Sequence, residues 1–177
     1  PKIAAAHRRL QEKYLDRAAV VKEPSAGREW VYDMHFVDNN YSCPDTMAEI
    51  ETIEDARRAV ARHKANGYNT IMVNGLHMRY TYVPLWESRI LPYMRLLCQA
   101  AHEAGMRVID HYDVPIFFSG GYPFLLSEDH LDWTQRDVRY GTPARMYCIN
   151  NPDFREHFFA WAQRMQRECG IDAYQID

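Results

Sequence analysis

The chain has 177 residues, 47% of them hydrophobic and 13% aromatic, with 21 Lys and Arg against 24 Asp and Glu and a net charge of -3. This composition can bury one sizeable core, and its two signs are mixed without long single-sign blocks, which argues against nucleic acid as a partner. No apolar run approaches the roughly 18 residues of a membrane span, and the opening segment is amphipathic and charged, unlike a signal peptide. The first residue is Pro1, not Met, so a preceding segment and the compartment both stay open.

In chain order, a lead-in of residues 1–25 carries a helix expected around Ala4 to Val20, with Ala5, Leu10, Tyr14 and Val21 among charged neighbours. Residues 26–177 are read as one organised region, opening with a strand from Glu29 to Phe36. Three helical stretches then each end at a Gly, and a strand follows at once.

The first is capped by Thr52, with Asp55 in its first turn and an inner stripe of Ile53, Ala56, Ala59 and Val60. Gly67 stops it, because Gly takes the left-handed conformation after a helix without a Cβ clash. The strand Asn69 to Asn74 follows, carrying Ile71, Met72 and Val73. That short apolar run suits a strand buried on both faces.

The second helix repeats Ile90, Leu91, Met94, Leu97, Cys98 and Ala101 and stops at Gly105, ahead of a strand from Met106 to His111. The third opens with Asn151 as N-cap and Pro152 at the first helical position. It carries Phe154, Phe158, Trp161, Ala162 and Met165, ends at Gly170, and leads into a strand from Ile171 to Asp177. The four cysteines, Cys43, Cys98, Cys148 and Cys169, form no CxxC pair, and free Cys is commonly a buried packing residue.

Strands and helices alternating in this way make a parallel sheet with right-handed crossovers. An open doubly wound sheet and a barrel compete. No Gly-rich phosphate loop follows any strand, which weakens the dinucleotide-binding form of the open sheet. A full barrel takes about 250 residues, so the fold expected is α/β, the N-terminal half of a (β/α)8 barrel, breaking off at Asp177.

In such folds the carboxyl ends of the strands carry function, because side chains there converge on one face. The first strand offers Asp33, His35 and Asp38, then Asn39, Asn40 and Tyr41. The second offers Asn74 and His77, the third Asp110, His111, Tyr112 and Asp113, and the fourth Asp172, Tyr174, Gln175 and Asp177. A His or Asp near a loop also serves as a helix cap or backbone partner, and Asp33 and Asp110 equally suit buried sheet partners. Asp177 stands out by its place at a strand end.

Roughly 35 residues separate the third strand from the next helix, far beyond the usual two to six. Phe117, Phe118, Tyr122, Phe124, Trp133, Tyr140 and Tyr147 make this stretch aromatic, and Ser119, Gly120 and Gly121 could hinge it. It reads as a lid or subsite wall whose rings stack on sugars, or equally as a local minicore.

The run Gly170-Ile-Asp-Ala-Tyr-Gln-Ile-Asp177, after a helix opening Asn151-Pro-Asp-Phe-Arg155, resembles the (β/α)8 glycoside hydrolases, and Gly105-Met-Arg-Val-Ile-Asp-His-Tyr-Asp113 adds to the likeness. In retaining members such as α-galactosidase, α-fucosidase and α-amylase relatives, the nucleophilic Asp ends the fourth strand. Asp177 matches that place. An enlarged segment after the third strand is a further likeness to α-amylase relatives. Those have Arg two residues before the Asp, where this chain has Gln175, so the resemblance reaches the superfamily.

It implies a glycosidase acting on a carbohydrate, with Asp177 as nucleophile, an acid/base outside this segment and no cofactor. His35, Asn74, His77, His111, Asp113, Tyr122 and Trp133 are then the candidate substrate-binding residues.

Two other readings compete with this one. A metal-dependent barrel hydrolase would draw ligands from His35, His77, His111 and Asp113, although Asp33-Met-His35 is not a His-x-His pair and no HExxH occurs. A non-catalytic carbohydrate-binding barrel would keep the aromatic stretch without paired carboxylates.

Overall fold

The computed structural model describes residue 27 and residues 29–40, 50–74, 86–112 and 130–176. The chain divides into two compact units, Pro1–Met34 and His35–Asp177. The helix expected around Ala4 to Val20 lies outside the described residues. In the first unit, Glu29–Val31 forms a single tight helical turn.

The second unit is an α/β layer. Four strands, β1 (Phe36–Asn40), β2 (Thr70–Asn74), β3 (Arg107–Tyr112) and β6 (Ala173–Ile176), pair in parallel in the order β1-β2-β3-β6. Three helices, α1 (Ile53–Ala65), α2 (Leu91–Glu103) and α3 (Pro152–Cys169), connect them. Between β3 and α3 a small antiparallel hairpin is inserted, β4 (Thr134–Arg136) with β5 (Pro143–Tyr147).

Local chemistry sets the helix limits. Thr52 accepts from the Asp55 amide while the Asp55 carboxylate accepts from the Thr52 amide, a full capping box on α1. Asn151 Oδ1 accepts from the amides of Asp153 and Phe154 at 3.0 Å each and starts α3. Gly170 ends α3 in the left-handed conformation, φ 75°. A wide π-type turn, Trp86–Ile90, leads into α2.

The first strand corrects the sequence expectation. Glu29 to Phe36 was expected to be extended, but Tyr32 N–H donates to Glu29 O and Asp33 N–H to Trp30 O. β1 begins only at Phe36, where the backbone meets Thr70 of β2. The aromatic and β-branched residues Trp30, Val31 and Tyr32 carry strand propensity, and pairing with β2 overrides it.

Ile71, Val73 and Val108 are fully buried in one cluster with Val60 of α1, Met94 and Leu97 of α2, and Met165 of α3. Consecutive helices pack side by side, α1 on α2 and α2 on α3. A doubly wound sheet would place helices on both faces. Here they share one face, so the architecture is a partial (β/α)8 barrel, four parallel strands with an outer helical layer.

Candidate active site

The register places Asn40, Asn74, His111 and Gln175 as successive partners across the carboxyl end of the sheet. Strand alternation separates the two faces of β3. Val108 lies in the helix-side core, and Asp110 shares its parity. His111 therefore turns away from the helices, on the face shared by Asn74 and Gln175. His111 is buried, Asn74 half-buried and Gln175 exposed. An imidazole with flanking carboxamides offers hydrogen-bonding groups of the kind that suit hydroxyls.

Asp110 takes the other face and is fully buried. Burial first, then the Asp110 charge, pushes the Tyr174 hydroxyl above its ordinary range, and the Tyr174 hydroxyl donates to Ala162 O of α3 at 2.6 Å. Burial likewise raises the Cys98 thiol, and pushes Cys169 up to about 12. The three described cysteines, Cys98, Cys148 and Cys169, are free thiols.

Other candidates stand elsewhere. His35 precedes β1, its carbonyl accepting from Asn69 and Thr70 and its amide donating to Asn69 Oδ1 at 2.8 Å. That is the amino end of the sheet, the result of β1 starting late. Arg107 pairs with Thr70, so His35 and His111 are separated by about 13 Å or more of strand rise. They cannot ligate one ion, which removes the four-residue metal set. Among the described residues no group of three or more His, Cys, Asp or Glu could hold a metal.

Trp133 closes a short turn, Leu131–Trp133, ahead of β4. It is 8% exposed. His130 stacks on it at 3.7 Å and 6°, while Tyr147, Phe154 and His157 surround it at 6.0, 6.0 and 5.3 Å. This is a minicore that docks the hairpin on α3, and a sugar could stack on that face of Trp133 only by displacing His130. Burial, then the neighbouring His130, lowers the His157 pKa. His157 was legible in principle, since it lies three residues after Phe154 and four before Trp161 on the inner stripe of α3.

Asp172 also differs from its expected place. It precedes β6, at the amino end, where its side chain is 11% exposed. His77, Asp113, Tyr122 and Asp177 lie outside the described residues. No helix among the described residues is long and apolar enough to cross a membrane.

No protein family and no curated protein matches the sequence. Solved structures do resemble it. A noncanonic maltogenic α-amylase from Thermotoga neapolitana is 19% identical, with TM-score 0.52, covering 71% of this chain and 34% of that one. The ligand-free cyclic α-maltosyl-(1→6)-maltose hydrolase from Arthrobacter globiformis is 14% identical, with TM-score 0.54, covering 84% of this chain and 45% of that one. An α-galactosidase from Lactobacillus brevis is 14% identical, with TM-score 0.53, covering 80% of this chain and 20% of that one. At these identities the likeness establishes the fold, one shared with glycoside hydrolases. The chain spans less than half the length of each of these proteins.

Proposed function

We propose that this chain is part of a retaining glycoside hydrolase, residues 26–177 forming the first half of its catalytic barrel after a lead-in of residues 1–25. The observation that carries the reading is the polar row Asn40, Asn74, His111 and Gln175 at the carboxyl ends of four parallel strands. Asp177 follows Ile176 directly and has the parity of Gln175. That the structurally similar proteins are a maltogenic α-amylase, an α-galactosidase and a cyclic α-maltosyl-(1→6)-maltose hydrolase supports a carbohydrate substrate.

In this reading the ionised Asp177 carboxylate attacks the anomeric carbon while a protonated acid, supplied from outside this segment, gives its proton to the departing glycosidic oxygen. The glycosyl ester formed is then cleaved by water. The same acid/base, now ionised, takes the water's proton, and Asp177 leaves as carboxylate. Asn74 and His111 bond the substrate hydroxyls, and His77, Asp113 and Tyr122 are assigned to the same pocket by their place after β2 and β3. No cofactor enters the chemistry.

The test is a panel of aryl glycosides of both anomeric configurations, run on the full-length protein beside Asp177→Asn. Hydrolysis by the wild type and a loss of at least about 1,000-fold in the variant are expected, the scale of removing a nucleophile. Hydrolysis that survives the substitution removes Asp177 from the mechanism. Silence of the folded wild type across the panel favours the non-catalytic carbohydrate-binding barrel.

A further inference from the structure

The strand leading to Asp177 is held by Tyr174, which packs on the core and donates to Ala162 O of α3, and by a polar anchor at its amino end. β6 is four residues long and pairs, among the described strands, with β3. A slip of one residue would turn every side chain of the strand over, so the point where pairing starts fixes where each later side chain stands.

The anchor is Asp172. Its N–H donates to Val108 O at 3.0 Å, and Val108 N–H donates back to Asp172 Oδ2 at 2.9 Å. Arg107 Nη1 donates to Oδ1 at 2.8 Å, and His102 Nε2 lies 2.9 Å from Oδ2. The last turn of α2, the opening of β3 and the approach to β6 thus converge on one carboxylate. The next pair is Ile109 with Ala173, and each later pair follows from it, up to His111 with Gln175 and Tyr112 with Ile176.

We propose that Asp172 is a positioning residue for the glycosyl transfer: by locking the start of β6 onto β3 it sets the height at which Gln175 and Asp177 meet the substrate. The role of Asp177 rests on the glycosidase reading, whereas the register does not. Asp172 lies three positions before Gln175, about 10 Å of strand, so Asp172 acts through β6 and touches no substrate. A two-residue slip, which keeps the same face inward, would displace the strand by about 6.6 Å. Productive geometry tolerates about 0.5 Å.

The experiment compares full-length wild type with Asp172→Ala by amide hydrogen exchange and by kinetics on para-nitrophenyl α-glycosides. Exchange at Tyr174, Gln175 and Ile176 is expected to rise about 10- to 100-fold, while α1 keeps its protection. The kcat is expected to fall at least about tenfold with KM within about twofold. Asp172→Asn, which keeps an acceptor for the Val108 amide, should recover a large part of both.

Unchanged exchange in β6 overturns the proposal, as does a rise spread evenly over α1 and β6. A loosened β6 with unchanged kcat in an Asp177-dependent enzyme overturns the positioning role. Should Asp172→Ala fail to fold, Arg107→Met and His102→Leu each remove one donor and are expected to loosen β6 in smaller measure, no loosening in either being contrary. The exchange arm needs no substrate, so it separates failure of this inference from failure of the glycosidase reading.

Discussion

The Asp172 carboxyl illustrates how a single group can be pulled both ways. Burial alone would raise its pKa, but the Val108 amide, then His102 and Arg107, outweigh burial and hold it below the usual carboxylate range. A folded-state pKa below the unfolded one means stability that is complete above the unfolded value, about 3.9, and lost as pH falls through the folded value. Asp172→Asn is therefore expected to destabilise the protein at neutral pH, by less than Asp172→Ala does. The two denaturation curves should converge on acidification, and a difference that persists unchanged at low pH would assign the effect to shape instead of charge. In the sequence Asp172 reads as one more polar residue of the fourth strand. Its three partners come from 64 to 70 positions earlier, and no local pattern announces them.

Among the elements, the β4–β5 hairpin depends on aromatic docking, with Trp133 and Tyr147 against Phe154 and His157 of α3. Trp133→Ala is expected to cost about 3–5 kcal/mol through the cavity it leaves, read by chemical denaturation. His157 adds a pH signature of its own. Its lowered folded pKa means stability complete above the ordinary histidine value, about 6.5, and lost as pH falls from there toward the folded value. Melting temperature should thus decline as pH falls below about 6.5, and the decline should flatten in His157→Phe. An equally steep decline in the variant would assign the effect to another group.

The helices were legible because their signals are local: the Thr52 and Asn151 caps, the apolar stripes, and the glycines that stop them. The first strand was not, since Trp30 to Tyr32 offers the right propensities and only pairing with Thr70 reveals where extension begins. The aromatic stretch after β3 offered wall and minicore equally, and its described part around Trp133 is a minicore.

For the molecule as a whole, strand–helix alternation was enough to read a half-barrel, and the side-by-side helices distinguish it from a doubly wound sheet. The polar residues Asn74 and His111 stand at the carboxyl end because strand order puts them there. A strand running from Glu29 to Phe36 would put His35 at that end, whereas β1 starts at Phe36 and leaves it at the other. Parity within a strand decides the rest: neighbours in sequence, Asp110 and His111 face opposite layers, one toward the thiols and Tyr174, the other toward the row with Asn74 and Gln175.

The central claim is a covalent one and can be met directly. Full-length protein is incubated with a fluorinated glycosyl fluoride, whose ring fluorine slows breakdown of the glycosyl ester, and the digest is mapped by mass spectrometry. One glycosyl adduct on the peptide bearing Asp177 is the expected result. An adduct on a different carboxylate, or turnover by an Asp177→Asn variant at the wild-type rate, would contradict it.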